Sequence, residues 1–200
     1  MKYASAGACV ILIVSLGYLD APGADSTLWA QPVKVEGVPG LFRVTADLYR
    51  SGQPTPEGLR NLKAMGIKTV INLREFHSDR DAVVAAGLQY ERIYMKAWLP
   101  LEADAVRFLK IVTDPQRTPV LAHCWLSSDR SGSLIAIYRI AVQGWSREDA
   151  IREMMEGDFG FHRELIDLPT WIKMANIERI KRKAGIKTVN QEINQDHQKK

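Results

Sequence analysis

The stretch His123-Cys124-Trp125-Leu126-Ser127-Ser128-Asp129-Arg130-Ser131-Gly132 decides how the rest of the chain is read. Before it, Pro119-Val120-Leu121-Ala122 is an apolar run that predicts a short buried strand. After it, Leu134, Ile135, Ile137, Tyr138, Ala141 and Val142 recur at helical spacing. A Cys and an Arg, with five residues between them, therefore sit on the loop that joins a strand to the start of a helix. Such a loop aims several backbone N–H groups at one point, where the helix dipole favours an anion. Arg130 adds a fork of donors suited to two phosphate oxygens. Cys124, in the same positive field, is expected as a thiolate and hence a nucleophile. A phosphate cradle with a nucleophile at its base predicts phosphoryl transfer to sulfur.

Working outward, Leu41-Phe42-Arg43-Val44 and Asp47-Leu48-Tyr49-Arg50 read as short strands, followed by the turn-like Ser51-Gly52-Gln53-Pro54. Thr55 caps a helix with Pro56 at its first position and Gly66 as its stop. Thr69-Val70-Ile71-Asn72-Leu73 has the apolar character of a buried parallel strand. Ser78 is expected to cap a short helix ending at Gly87, and Tyr90 to Tyr94 forms another strand. Leu101, Ala105, Phe108, Leu109 and Val112 mark an amphipathic helix. Beyond the central loop, Gly144 closes one helix, Ser146 caps the next, and a last helix runs from about Pro169 to Ala184. Strands alternating with helices, then helices alone, predict a three-layer α/β domain with a mostly parallel central sheet of about four to five strands.

A length of 200 residues suits one domain with appendages, and the net charge of +4 is modest. Much of that charge lies in Arg179, Lys181, Arg182, Lys183 and Lys187 and in Lys199 and Lys200, which read as a solvated helix end rather than a nucleic-acid surface. At the other end, Lys2 precedes an apolar stretch from Ala8 to Leu19, which Asp20, Pro22 and Gly23 interrupt. That layout predicts an export signal over residues 1–24, or an uncleaved N-terminal anchor, and a periplasmic or secreted protein. Residues 25–40 are expected as a linker, 41–184 as the domain, and 185–200 as a polar tail. Of the two Cys, Cys9 lies within the apolar stretch, so Cys124 remains alone in an oxidising compartment.

The pattern of His-Cys, five residues, then Arg-Ser-Gly resembles the signature loop of the cysteine-dependent protein tyrosine phosphatases. The segments LYRSGQP, INLRE, MKAW, IYRIAVQGWS and DFGFH extend the likeness to the compact dual-specificity-like phosphatases of bacteria, akin to a plant and fungal group. The resemblance implies a phosphatase fold and hydrolysis of phosphotyrosine or small phosphomonoesters through a phosphocysteine on Cys124. It needs no cofactor or metal, and a monomer is expected. It also implies that Arg130 grips the phosphoryl group, that Trp125, Leu126, Ser127, Ser128 and Asp129 complete the cradle, and that Ser131 assists sulfur as leaving group. His123 is then expected to order the loop from behind.

Ser127 stands where the family usually carries Gly, a position that favours positive φ. A phosphate-binding pseudoenzyme is therefore one alternative. A phosphoinositide or inositol-phosphate phosphatase is another, because myotubularin-like lipid phosphatases carry an acid where Asp129 stands. The general acid stays open between Asp129 and Asp104, with Glu102 behind them. Lys96, His162 and Arg163 are the expected substrate rim.

Overall fold

A computed structural model describes residues 26–96 and 98–186, so the expected export signal and most of the polar tail lie outside the described residues. Six strands form one mixed sheet: β1 (Gln31–Pro32), β2 (Phe42–Arg43), β3 (Leu48–Ser51), β4 (Thr69–Asn72), β5 (Gln89–Arg92) and β6 (Val120–His123), in the order β1-β2-β3-β6-β4-β5. The four strands from β3 to β5 across the sheet run parallel, while β1 and β2 join antiparallel at one edge. The central strands are buried on both faces, as crossover helices on either side require.

The pleat divides the core in two. Val70 and Leu121 face Leu59, Leu62, Val83 and Leu88 under α1 (Pro56–Ala64) and α2 (Arg80–Ala85). Ile71, Val120 and Ala122 face the larger core beneath α3 (Glu102–Val112), α4 (Asp129–Gln143), α5 (Arg147–Glu156), α6 (Asp167–Met174) and α7 (Ile177–Ala184). Helix α4 is buried around most of its circumference because α3, α5, α6 and α7 all pack against it. The expected three layers are therefore present, with a wider sheet than the sequence suggested.

Two expectations are corrected. The sixth strand comes from Gln31–Pro32, too short and too exposed to carry an apolar alternation. The surrounding segment is packed rather than loose: Ala30, Val38 and Leu41 are buried, and Ala30 N donates to Glu153 Oε1 at 2.7 Å. Glu153 also receives Nε and Nη2 of buried Arg139 at 2.8 and 2.6 Å, so this chain entry is fastened to α4 and α5 together. Gly37 (φ 75°) fits against α1, where a Cβ would fall 2.6 Å from Gly58 N.

The second correction concerns the last helix, which is two. Asn176 caps α7 by accepting from Arg179 N at 2.9 Å, and Arg147 binds the carbonyl of Ala175 at 2.8 Å as α6 ends. The apolar periodicity continues across this break and conceals it.

Candidate active site

The carboxyl ends of the three middle strands are level: Ser51 of β3 and Asn72 of β4 both flank His123 of β6. A crevice outside the carboxyl ends of parallel strands is where α/β sheets bind ligands. Three loops rise from this line, and the signature loop is the central one.

Among the described residues, the backbone N–H groups of Trp125, Leu126, Ser127 and Ser128 donate to no protein acceptor. Asp129 and Arg130 open α4, so their N–H groups lack intrahelical partners as well. The loop therefore presents a ring of free donors at a helix start. Cys124 is buried at its base, with Sγ 3.3 Å from Ser131 Oγ. Gly132 lets the helix seat closely: a Cβ there would lie 3.1 Å from Met154 Cγ.

Ser127 is the one non-glycine residue with positive φ among those described, at 72°. Its strain is held by Arg50, which sequence reading placed only as a strand residue. Arg50 is 1% exposed, its Nε donates to Ser127 Oγ at 3.3 Å, and its Nη2 donates to the carbonyls of Ser127 and, at 3.1 Å, Ser128. Its guanidinium lies 4.0 Å from the ring centroid of Phe159. Burial lowers the Arg50 pKa to about 10, against the opposing pull of Cys124 and Glu153, so it stays cationic at neutral pH. A permanent positive charge thus sits beneath the loop.

His123 is fully buried, with Nδ1 3.2 Å from the Cys124 carbonyl and Nε2 3.0 Å from Asp79 Oδ2. Asp79, a second residue that sequence reading missed, also accepts from Gln53 Nε2 at 2.9 Å and Asn72 Nδ2 at 2.5 Å. Burial works against its charge, but the His123 imidazole and the two amides hold its carboxyl well below the usual carboxylate range. Asp79 stands at the start of α2, where Ser78 was the expected cap, and spends its carboxylate on this network instead.

The three candidate acids are placed differently. Glu102 pairs with Lys183 at 2.9 Å and with Arg179, which ties α3 to α7 and lowers its pKa. Asp104 accepts from Leu101 N at 3.1 Å, closing the first turn of its own helix; burial raises its pKa. Asp129 stays within the loop. Its carboxylate accepts from His162 N at 3.0 Å, lies 2.9 Å from His162 Nδ1, and receives Ser128 Oγ at 3.1 Å.

Beside Arg130 opens a cavity of about 420 Å³, walled by Arg74, Glu75, Phe76, His77, Trp98, Trp125 and Arg130. Of the expected rim, His162 meets the loop through Asp129, whereas Lys96 and Arg163 are exposed and absent from these walls. Arg74 is the third residue that sequence reading missed. The INLRE segment that contains it was the only signal.

Residues 42–165 match a family model described as a DSP-PTPase phosphatase fused to NAD+ kinase. The dual specificity protein phosphatase TpbA of Pseudomonas aeruginosa is 29% identical over 157 residues, 78% of this chain and 71% of that one. Its crystal structure superposes with a TM-score of 0.70 over 80% of this chain and 98% of that chain. A cysteine-to-serine form of TpbA, solved in complex with phosphotyrosine, matches equally well. The inositol diphosphatase DSP3 of Arabidopsis thaliana is 27% identical over 127 residues, 58% of this chain and 61% of that one.

Proposed function

The chain belongs to the dual-specificity phosphatase (DSP-PTPase) family, and from that membership we propose that it hydrolyses phosphomonoesters through a phosphocysteine on Cys124. The observation that carries this reading is the loop itself: a buried thiol and, among the described residues, a ring of unpaired N–H groups and an Arg130 guanidinium without a protein partner at one helix start. The cradle binds the phosphate dianion, with Arg130 spanning two of its oxygens. Cys124 Sγ attacks phosphorus, the bond from phosphorus to the leaving oxygen breaks, and that oxygen takes a proton. Water then attacks phosphorus, giving a proton to the carboxylate that supplied the first one, the S–P bond breaks, and inorganic phosphate leaves. Ser131 Oγ, 3.3 Å from Sγ, donates to the departing thiolate in this second step. Preorganised donors at the transferring phosphoryl group supply most of the rate, because they need no reorganisation as charge develops.

The leaving-group proton is assigned to Asp129, whose carboxylate lies 2.9 Å from His162 Nδ1. Asp129 alone of the three candidates lies in the loop, while Glu102 and Asp104 are occupied in holding α3. Phosphotyrosine, which TpbA binds in its serine form, is the substrate class adopted for this chain. Export rests on the apolar stretch from Ala8 to Leu19, and a reporter fused after residue 40 reads it out. The segment from Ala30 to Leu41, packed into the same core, is taken together with residues 41–184 as the phosphatase domain, and the chain as a monomer.

Hydrolysis of p-nitrophenyl phosphate by the purified protein tests the mechanism. Cys124→Ser and Arg130→Ala are each expected to lose nearly all turnover, with Cys124→Ser still binding phosphate. Retained turnover in Cys124→Ser rules out the phosphocysteine. A wild type that binds phosphate without turnover supports the pseudoenzyme.

A further inference from the structure

Arg74 leaves the end of β4 from a pinned backbone. Its N–H donates to Asn72 Oδ1 at 2.8 Å, and Arg92 Nη2 donates to the carbonyls of Arg74 and Glu75 at 3.3 and 2.8 Å. The guanidinium is laid over Trp125 of the signature loop, 4.5 Å from the ring centroid, and Nη1 donates to Gln53 Oε1 at 3.0 Å. That uses one of five donors. Neither Arg74 nor Arg130 has a carboxylate within ion-pair distance among the described residues, and Glu75, on the same wall, pairs with neither. Partial burial, and after it the neighbouring Arg130, lower the Arg74 pKa, against the opposing pull of Asp79 and Cys124.

One guanidinium suffices to span two phosphoryl oxygens, and Arg130 stands at the start of α4 where that fork is needed. Arg74 is set to one side, so its free donors face whatever adjoins the phosphate. The walls show what that is. Phe76 is 89% exposed, Trp98 58% and Trp125 56%, a collar of rings left in water around a charged floor. A polyhydroxylated ring bearing phosphates offers such a collar only its C–H faces, whereas an aryl phosphate within a peptide covers more of it with apolar surface.

We propose that Arg74 is a specificity-determining residue that selects phosphotyrosine flanked by an acidic side chain, its guanidinium binding the carboxylate of that side chain while Trp125, Trp98 and Phe76 cover the substrate ring and backbone. The proposal rests on the phosphatase reading above, and its test separates the two.

Two phosphotyrosine peptides differing only in Asp or Asn beside the phosphotyrosine are compared, with p-nitrophenyl phosphate alongside. Wild type is expected to prefer the Asp peptide about tenfold in kcat/KM, chiefly through KM, the scale of one partly desolvated charge pair. Arg74→Gln brings that ratio close to one, and Arg74→Lys keeps part of it. Equal use of both peptides by wild type overturns the proposal while leaving the phosphatase reading intact. An Arg74→Gln loss of equal size on every substrate also overturns it, because Arg74 then grips the scissile phosphate. Preference for an inositol polyphosphate over the Asp peptide overturns the choice of ligand. Inactivity towards all of them, p-nitrophenyl phosphate included, defeats the phosphatase reading itself.

Discussion

Arg50 holds Ser127 in the left-handed region of backbone space, donating to both its hydroxyl and its carbonyl from a position with 1% exposure. A left-handed residue with a side chain costs about 1–2 kcal/mol. Charge-assisted hydrogen bonds from a buried guanidinium offset a cost of that size, at about 1.5–3 kcal/mol each. Arg50→Met is therefore expected to destabilise the protein by about 3 kcal/mol or more, leaving the carbonyl and hydroxyl of Ser127 without partners, while the Ser128 carbonyl keeps only Gly132 N. Urea denaturation measures it. Arg50→Lys recovers only part, since an ammonium cannot reproduce the planar fork.

The same pairing orders two substitutions at Ser127. Ser127→Ala keeps the positive φ and loses the Arg50 Nε contact, so about 1–3 kcal/mol of stability is expected to go. Ser127→Gly loses that contact too but relieves the backbone, and its change should stay within about 1 kcal/mol. Melting temperatures of the three proteins should fall in the order wild type and Gly together, then Ala. An Ala variant as stable as wild type contradicts the role given to Arg50.

Asp79 makes stability depend on pH in one direction. Its carboxyl titrates lower in the folded protein than in the unfolded chain. Such a group contributes stability that is fully present above its unfolded pKa of about 4, and that is lost as pH falls towards the folded value. Asp79→Asn is expected to cost about 1–3 kcal/mol at pH 7 and to flatten the decline below pH 4. Denaturation curves at pH 7, 5 and 3 show whether the mutant and wild type converge, as they should.

Proton donation is separable from helix capping by pH–rate profiles. A general acid works in its protonated form, so activity falls above its pKa, and removing the acid removes that basic limb. Asp129→Asn is expected to lose the limb and His162→Gln to displace it, because His162 Nδ1 lies 2.9 Å from the Asp129 carboxylate. Asp104→Asn should keep it and lose only about 0.5–1 kcal/mol of stability, from the first turn of α3. A missing limb in Asp104→Asn reverses the assignment.

What the sequence revealed of the site is the part that is local. Cys124, Arg130 and Ser131 lie within one turn and one loop, so their spacing constrains their geometry directly. Ser127 declared its strain because a side chain stands where positive φ is needed. Arg50 and Asp79 were not legible in that way. Each reaches the loop from a different strand end or helix start, and Arg50 is 77 residues from the serine it holds. Apolar periodicity tells which face of a strand is buried, but not which neighbouring strand lies beside it. The break between α6 and α7 escaped for a related reason: Asn176 caps a helix whose apolar face continues the previous one.

The chain from Ala30 to Leu41 has a bearing on what can be isolated. Pro39 offers its carbonyl to Gly52 N at 2.8 Å, and Gly52 is close enough to the Trp125 carbonyl that a Cβ there would approach it to 3.0 Å. Ala30 N meanwhile occupies the buried carboxylate that Arg139 also holds. The smallest autonomous folding unit therefore starts before residue 30, well ahead of residue 42, where the family likeness begins. A truncation placed by homology would strip a strand from the sheet edge and a brace from behind the catalytic loop. The inert protein it yielded would report on the cut, not on the chemistry.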